Sequence, residues 1–218
     1  MSISITWHGV SCFKIKSKIR GEEVGVVTDP YDSSCGLRVP KILKADIVTS
    51  SQNHPHHNNV GIVESLRGDK DIFIIKNPGE YEVGGIFVYG ITHSGEVKEP
   101  VIIYRFEISG FSIAHIGNLN FEPTAQELEA IGDVDILFVP VDGPDTIDFK
   151  KINSVISAID PQIVVPMNYK IPKLTTKAEP VEKLLKELGV KDVESVKKLK
   201  LARKDFGEEM KVIVIEKD

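Results

Sequence analysis

Cysteine is scarce in this chain. Cys12 and Cys35 are too few for a disulfide scaffold, and they read as reduced thiols of a cytoplasmic protein. No apolar run approaches the roughly 20 residues of a spanning helix, so no membrane partner is expected. The opening Met1-Ser2-Ile3-Ser4-Ile5 lacks both the charged and the apolar segment of a secretory leader. Basic charge is not in excess. A formal net charge of −5 argues against nucleic acid as a partner. No Pro/Gly/Ser-rich linker divides the chain, and 41% apolar residues exclude general disorder. At 218 residues it reads as a single domain, 1–218, long enough for a real core.

Strand signals dominate the first half. Ile3, Ile5 and Trp7 alternate with polar residues, as do Phe13 and Ile15. Val24 to Thr28 is an apolar run closing on Asp29-Pro30, and Asp71 to Ile75 reads as a strand buried on both faces. Pro78-Gly79 and Gly84-Gly85 bracket a short hairpin strand, and a further hairpin turns at Ser109-Gly110. Helical signals come later. Thr124-Ala125-Gln126-Glu127 is a capping box, Phe149 to Ile159 carries one apolar face, and Pro180 opens a helix that stops before Gly189. The lysine-rich stretch 191–204 is interleaved with Asp192 and Glu194, which suits a solvated face. Asp46-Ile47-Val48 is echoed by Asp135-Ile136-Leu137, a weak sign of two similar halves.

The stretch Asp46 to Val60 is where chemistry is expected. A β-branched run leads into Ser51-Gln52-Asn53-His54-Pro55-His56-His57, and Val60 to Leu66 reads as the start of a helix. Half of the six histidines thus fall in one turn after a buried strand. Histidine is the commonest metal ligand among side chains, so the cluster reads as a candidate metal site.

This stretch resembles the first metal-binding motif of the metallo-β-lactamase superfamily, His-x-His-x-Asp-His. More narrowly it resembles the branch related to L-ascorbate-6-phosphate lactonase, zinc-dependent hydrolases of that fold. The resemblance implies a four-layer αββα sandwich. It also extends along the chain, through Asp29-Pro30, Pro78-Gly79-Glu80-Tyr81-Glu82, His93-Ser94-Gly95, His115-Ile116-Gly117-Asn118-Leu119, Asp145-Thr146-Ile147-Asp148 and Pro166-Met167-Asn168-Tyr169. Carried over position by position, it implies retained metal ligands at His54, His57 and His93. It implies altered ligand positions at Gln52 (for His), His56 (for Asp), Asn118 (for the bridging Asp) and Asn168 (for His). His115, Asp29 and Glu80 are expected to support the site from behind or to line its pocket.

Both family carboxylates are therefore replaced, and the expectation is that no two-zinc site forms. Two functions remain open. One is a protein that binds a small molecule or a partner in the old pocket. The other is a hydrolase of an ester, lactone or phosphoester that uses one zinc or manganese on His54, His93 and His56 or His57. Metal-free attack by Cys12 or Ser51 is a third, weaker reading, because the sequence names no orienting group for either. Substrate and oligomeric state are not encoded in any of these motifs.

Overall fold

The structure, a computed structural model, describes residues 1–40, 43–68, 70–93, 100–141, 146–207 and 209–218. In chain order the elements are β1 (Ser2–Gly9), β2 (Cys12–Ile19), β3 (Glu22–Thr28), β4 (Leu43–Ala45), β5 (Ile47–Thr49), β6 (Val63–Ser65), β7 (Phe73–Ile75), β8 (Gly79–Val83), β9 (Ile86–His93), β10 (Val101–Ile108) and β11 (Phe111–His115). Then follow α1 (Ala125–Ile131), β12 (Ile136–Pro140), α2 (Phe149–Ile159), β13 (Ile163–Met167), α3 (Val181–Glu187), β14 (Glu194–Val196), β15 (Leu199–Ala202) and β16 (Lys211–Ile215). One mixed sheet runs β15-β1-β2-β3-β5-β7, and a second runs β14-β16-β13-β12-β11-β10-β9-β8.

The two sheets face each other across one apolar core. Period-two alternation turns Ile3, Ile5 and Trp7 of β1 and Phe13 and Ile15 of β2 into it. Phe13 stacks on Phe138 of the opposite sheet with ring centroids 4.1 Å apart, and Trp7 packs on Tyr169 at 4.4 Å. The capping box forms as read: the Thr124 hydroxyl accepts from the Glu127 amide, and the Glu127 carboxylate accepts from the Thr124 amide. Asp148 caps α2, which buries Ile152, Val155, Ile156 and Ile159.

Helices cover the two sheets unequally. All three α-helices lie in the second half of the chain, with α1 against β9 and α2 between α1 and α3. Over the first sheet the outer layer is a small second core that includes Cys12, Val27, Tyr31, Cys35, Leu37, Leu43, Val48 and Val63. It is built from irregular chain, short 3₁₀ turns and the β4–β6 pair rather than from a helix. The helix expected from Val60 is absent. Val60–Ile62 makes one 3₁₀ turn and runs into β6, because Val60, Ile62 and Val63 are β-branched. Asn59, the would-be cap, spends its side chain on the Tyr31 carbonyl instead. A second correction concerns Asp71 to Ile75. Its strand is only Phe73–Ile75, and it forms the sheet edge with Phe73 and Ile74 exposed. Ser94-Gly95 and Asp145 lie outside the described residues.

The sequence echo has a physical counterpart. The Asp46 amide donates to the Gly25 carbonyl, while the Asp46 carboxylate accepts from the Gly25 amide at 2.9 Å. Asp135 makes the same reciprocal pair with Ser112, its carboxylate accepting at 2.7 Å. Each aspartate carbonyl then accepts from the next parallel strand, at Phe73 and Ile163, and each carboxylate holds an arginine, Arg67 and Arg203. The device sets strand register at the start of β5 and of β12 alike. Asp46→Ala and Asp135→Ala are each expected to lower the unfolding free energy by about 2 kcal/mol, as for lost charge-assisted bonds to half-buried partners. The two losses should add within ~0.5 kcal/mol, read by urea denaturation of the single and double variants.

His8, in β1, is buried, and burial pushes its pKa down to about 4 despite Asp218 nearby. A lowered pKa means that the unfolded chain takes up the proton first as pH falls. Stability is therefore expected to decline between about pH 6.5 and pH 4, by roughly 3 kcal/mol from this group when fully expressed. His8→Gln should flatten that limb in denaturation midpoints taken at both ends of the range.

Candidate functional site

The expected site residues sit where several strands of both sheets end. β3 closes on Asp29, held at φ 40° and fully buried. That conformation is unusual for a residue with a side chain, and the carboxylate's partners account for it. Asp29 accepts from the Ser51 amide at 2.7 Å, from the Ser51 hydroxyl at 2.5 Å and from His57 Nδ1 at 2.8 Å. Burial opposes its ionisation, but the donors His57 and Ser51 outweigh burial and hold its pKa below the ordinary carboxylate value. The His57 ring, itself buried, is thereby fixed with Nε2 as the nitrogen left for a ligand.

His93, the last residue of β9, is oriented in the same way from the other sheet. Its Nδ1 donates to Glu127 at 3.2 Å, and its ring lies against Phe121 with centroids 4.1 Å apart. Glu127 is the third residue of the α1 capping box, so a helix-start signal also aims a histidine. The His93 ring is completely buried, and its Nε2 has no hydrogen-bond partner among the described residues. The same holds for the side-chain oxygens of Asn118 and Asn120, on the loop that carries Phe121.

His115 is different. Its Nε2 donates to the Ser11 carbonyl at 3.0 Å, and its Nδ1 accepts from the Gly117 amide at 3.2 Å. Both nitrogens serve the backbone, and burial keeps the ring neutral by lowering its pKa. Ser11 also receives Asn168 Nδ2 on its hydroxyl at 3.0 Å. Asn168 is buried at φ 57°, a left-handed conformation that asparagine tolerates well. Gly117, at φ 57°, packs so closely that an added Cβ would come within 2.9 Å of Ser51 Oγ. A continuous chain of contacts thus runs Asn168–Ser11–His115–Gly117–Ser51–Asp29–His57.

The outer part of the histidine turn is more open. His54 is exposed, its Nδ1 accepts from the His56 amide, and its ring lies 4.6 Å from His56 and 6.0 Å from His57. Burial, then its histidine neighbours, lower the pKa of half-buried His56, so it stays neutral near pH 7. Gln52 faces a cavity of about 430 Å³ whose walls include Ser50, Asn53, Asn58, Lys76 and Asn77. Glu80, by contrast, is exposed on the edge strand β8, and among the described residues it bonds to none of the histidines. Among the described residues no three His, Cys, Asp or Glu side chains are grouped as they would be to hold a metal ion. Neither candidate nucleophile is poised: the Cys12 thiol is buried with its pKa pushed up by burial and Asp29, and the Ser51 hydroxyl donates to Asp29.

The β-lactamase superfamily domain signature matches residues 4–168. The chain belongs to that superfamily. A Thermotoga maritima protein described as a candidate Zn-dependent hydrolase of the metallo-β-lactamase superfamily shares the fold with a TM-score of 0.80 and 30% identity, over 99% of this chain and 100% of that one. A UPF0173 protein of Pyrococcus abyssi is 25% identical over 185 residues, 77% of this chain and 83% of its own length. A UPF0173 protein of Thermoplasma acidophilum, named a metal-dependent hydrolase, is 26% identical over 195 residues, 77% of this chain and 84% of its own. The facing mixed sheets with few helices are the metallo-β-lactamase-like sandwich.

Within this superfamily member, three participants escaped the sequence reading. Glu127 carried only a helix-cap signal, Ser51 was read only as a weak candidate nucleophile and not as a partner of Asp29, and Ser11 had no local signature at all. Asp29→Asn is expected to cost about 2–4 kcal/mol of stability, since an amide cannot accept all three donors. It should also release the His57 tautomer, seen as a change in the imidazole ¹⁵N shifts.

Proposed function

We propose that this superfamily member has a dismantled two-metal centre and that its cleft binds a small polar molecule. The observation that carries the reading is the donor set. Gln52, His56, Asn118 and Asn168, which the resemblance places at ligand positions, are all neutral. Two dications ~4 Å apart repel by roughly 15–20 kcal/mol at an effective dielectric of 20, which carboxylate ligands would offset. The buried carboxylate Asp29 is already committed to Ser51 and His57. These residues do not fit a two-zinc site. The cleft beside Gln52 instead offers carboxamides, hydroxyls and the Lys76 ammonium, a lining suited to a small carboxylate or phosphate ester.

A second reading has its own support. His57 and His93 each donate Nδ1 to a carboxylate, the arrangement that orients a metal-ligating histidine. Relatives named metal-dependent hydrolases point the same way. On this reading one zinc or manganese, held by His54, His93 and His56 or His57, would polarise an ester, lactone or phosphoester. His115 has no place in that set, because both its nitrogens are taken.

Metal content of the purified protein after dialysis separates the two. The first reading expects no retained zinc or manganese and a melting temperature unmoved by chelator. About one equivalent, lost in His54→Ala or His93→Ala, would establish the second. Reverting Gln52→His, His56→Asp, Asn118→Asp and Asn168→His together should create binding of two zinc ions. A revertant that stays empty would show that these loops do not correspond to the ligand positions.

A further inference from the structure

The outer face of the first sheet is covered only in part. Over β3 and β5 lies the second small core, with Val27 and Val48 in it. Over β15, β1 and β2 the alternation that buries Ile5, Phe13, Ile15, Leu199 and Leu201 turns polar residues outward. Ser2, Ser4 and Thr6 come from β1, Lys14, Lys16 and Lys18 from β2, and Lys200 from β15, with Lys198 just before it. The register sets Ser4 beside both Lys16 and Lys200, and Thr6 beside Lys14. A row of hydroxyls is thus flanked by two rows of lysines. A groove of about 440 Å³ follows them, its lining including Ser4, Lys16, Lys18, Lys198 and Lys200.

Anionic partners within the face are few. Glu23 pairs with Lys16 at 2.6 Å, and Asp205, at one end, accepts from the Ala202 amide. Among the described residues Lys14, Lys18, Lys198 and Lys200 make no ion pair. Burial and then Lys16 lower the pKa of half-buried Lys14, so the cations repel one another. In a chain of net charge −5 this is a local concentration of positive charge.

We propose that this face binds an extended acidic polypeptide segment lying along β1, with alternate carboxylates directed at the lysine rows. Residues i and i+2 of an extended chain repeat every ~6.4–6.8 Å, which is also the repeat of Lys14, Lys16 and Lys18 along their strand. Acidic side chains at every second position therefore meet the lysines one for one, and the β1 hydroxyls supply donors between them. Single-stranded nucleic acid suits the face less well. Trp7 and Phe13, the large aromatics of these strands, are turned into the core, so bases find nothing to stack on. Lysine also lacks the fork with which arginine grips phosphate.

The test is fluorescence anisotropy of a labelled peptide alternating Glu and Ser, beside a single-stranded oligonucleotide of equal charge and inorganic polyphosphate. Peptide binding at low ionic strength that fades with added salt is expected. Lys198→Glu with Lys200→Glu should weaken it on the order of tenfold. Lys150→Glu with Lys151→Glu, the same charge change on exposed α2 residues, should leave it nearly unchanged. Lys198→Gln with Lys200→Gln gives the same reading should charge reversal lower the melting temperature. Absence of peptide binding, equal loss in the α2 control, or preference for the oligonucleotide or polyphosphate would each overturn the proposal.

Discussion

The site rests on one buried carboxylate. Asp29 has no solvent contact, and every donor it needs comes from the loop that follows β5. A charge so placed is tolerable only while its hydrogen bonds are complete. That requirement ties the end of β3 to Ser51 and orients His57. Gly117 closes over Ser51, and through His115 and Ser11 the constraint reaches Asn168 at the end of β13. Loops from both sheets are thereby positioned by one electrostatic demand.

Most of the frame was legible in the sequence because it depends on local signals. The alternation of Ile3, Ile5 and Trp7, the turn at Ser109-Gly110, the cap at Thr124 and the apolar face of Phe149 to Ile159 are short-range features, and each formed as read. Errors arose where neighbours in space decide the outcome. Nothing local says that Phe73 and Ile74 end a sheet, so their apolar run read as interior. The helix read after the histidines was an error of another kind, since the β-branched Val60, Ile62 and Val63 were themselves a local signal for the 3₁₀ turn and strand that form. Within the site, the histidines and Asp29 could be named from motif positions. Glu127 could not, since its bond to His93 spans 34 residues of chain.

His57 and His93 are each backed by a carboxylate while much around them is neutral. Asp29 and Glu127 fix Nδ1 of His57 and His93, and that geometry is indifferent to whatever the other nitrogen meets. Orientation of a ring and charge balance at a metal are separate properties, and Asp29 and Glu127 supply the first of them. Rigid, aimed imidazoles are useful hydrogen-bonding groups for an organic ligand as well as for a metal.

The clasps at Asp46 and Asp135 bear on how much such a molecule can change. Each locks its own trio of parallel strands at the entry end, using backbone partners and one arginine. The loops at the exit end inherit a fixed starting point from each half without contributing to it. Side chains there that stand outside the Asp29 network can therefore differ in chemistry, one position at a time, while the scaffold beneath them holds its shape.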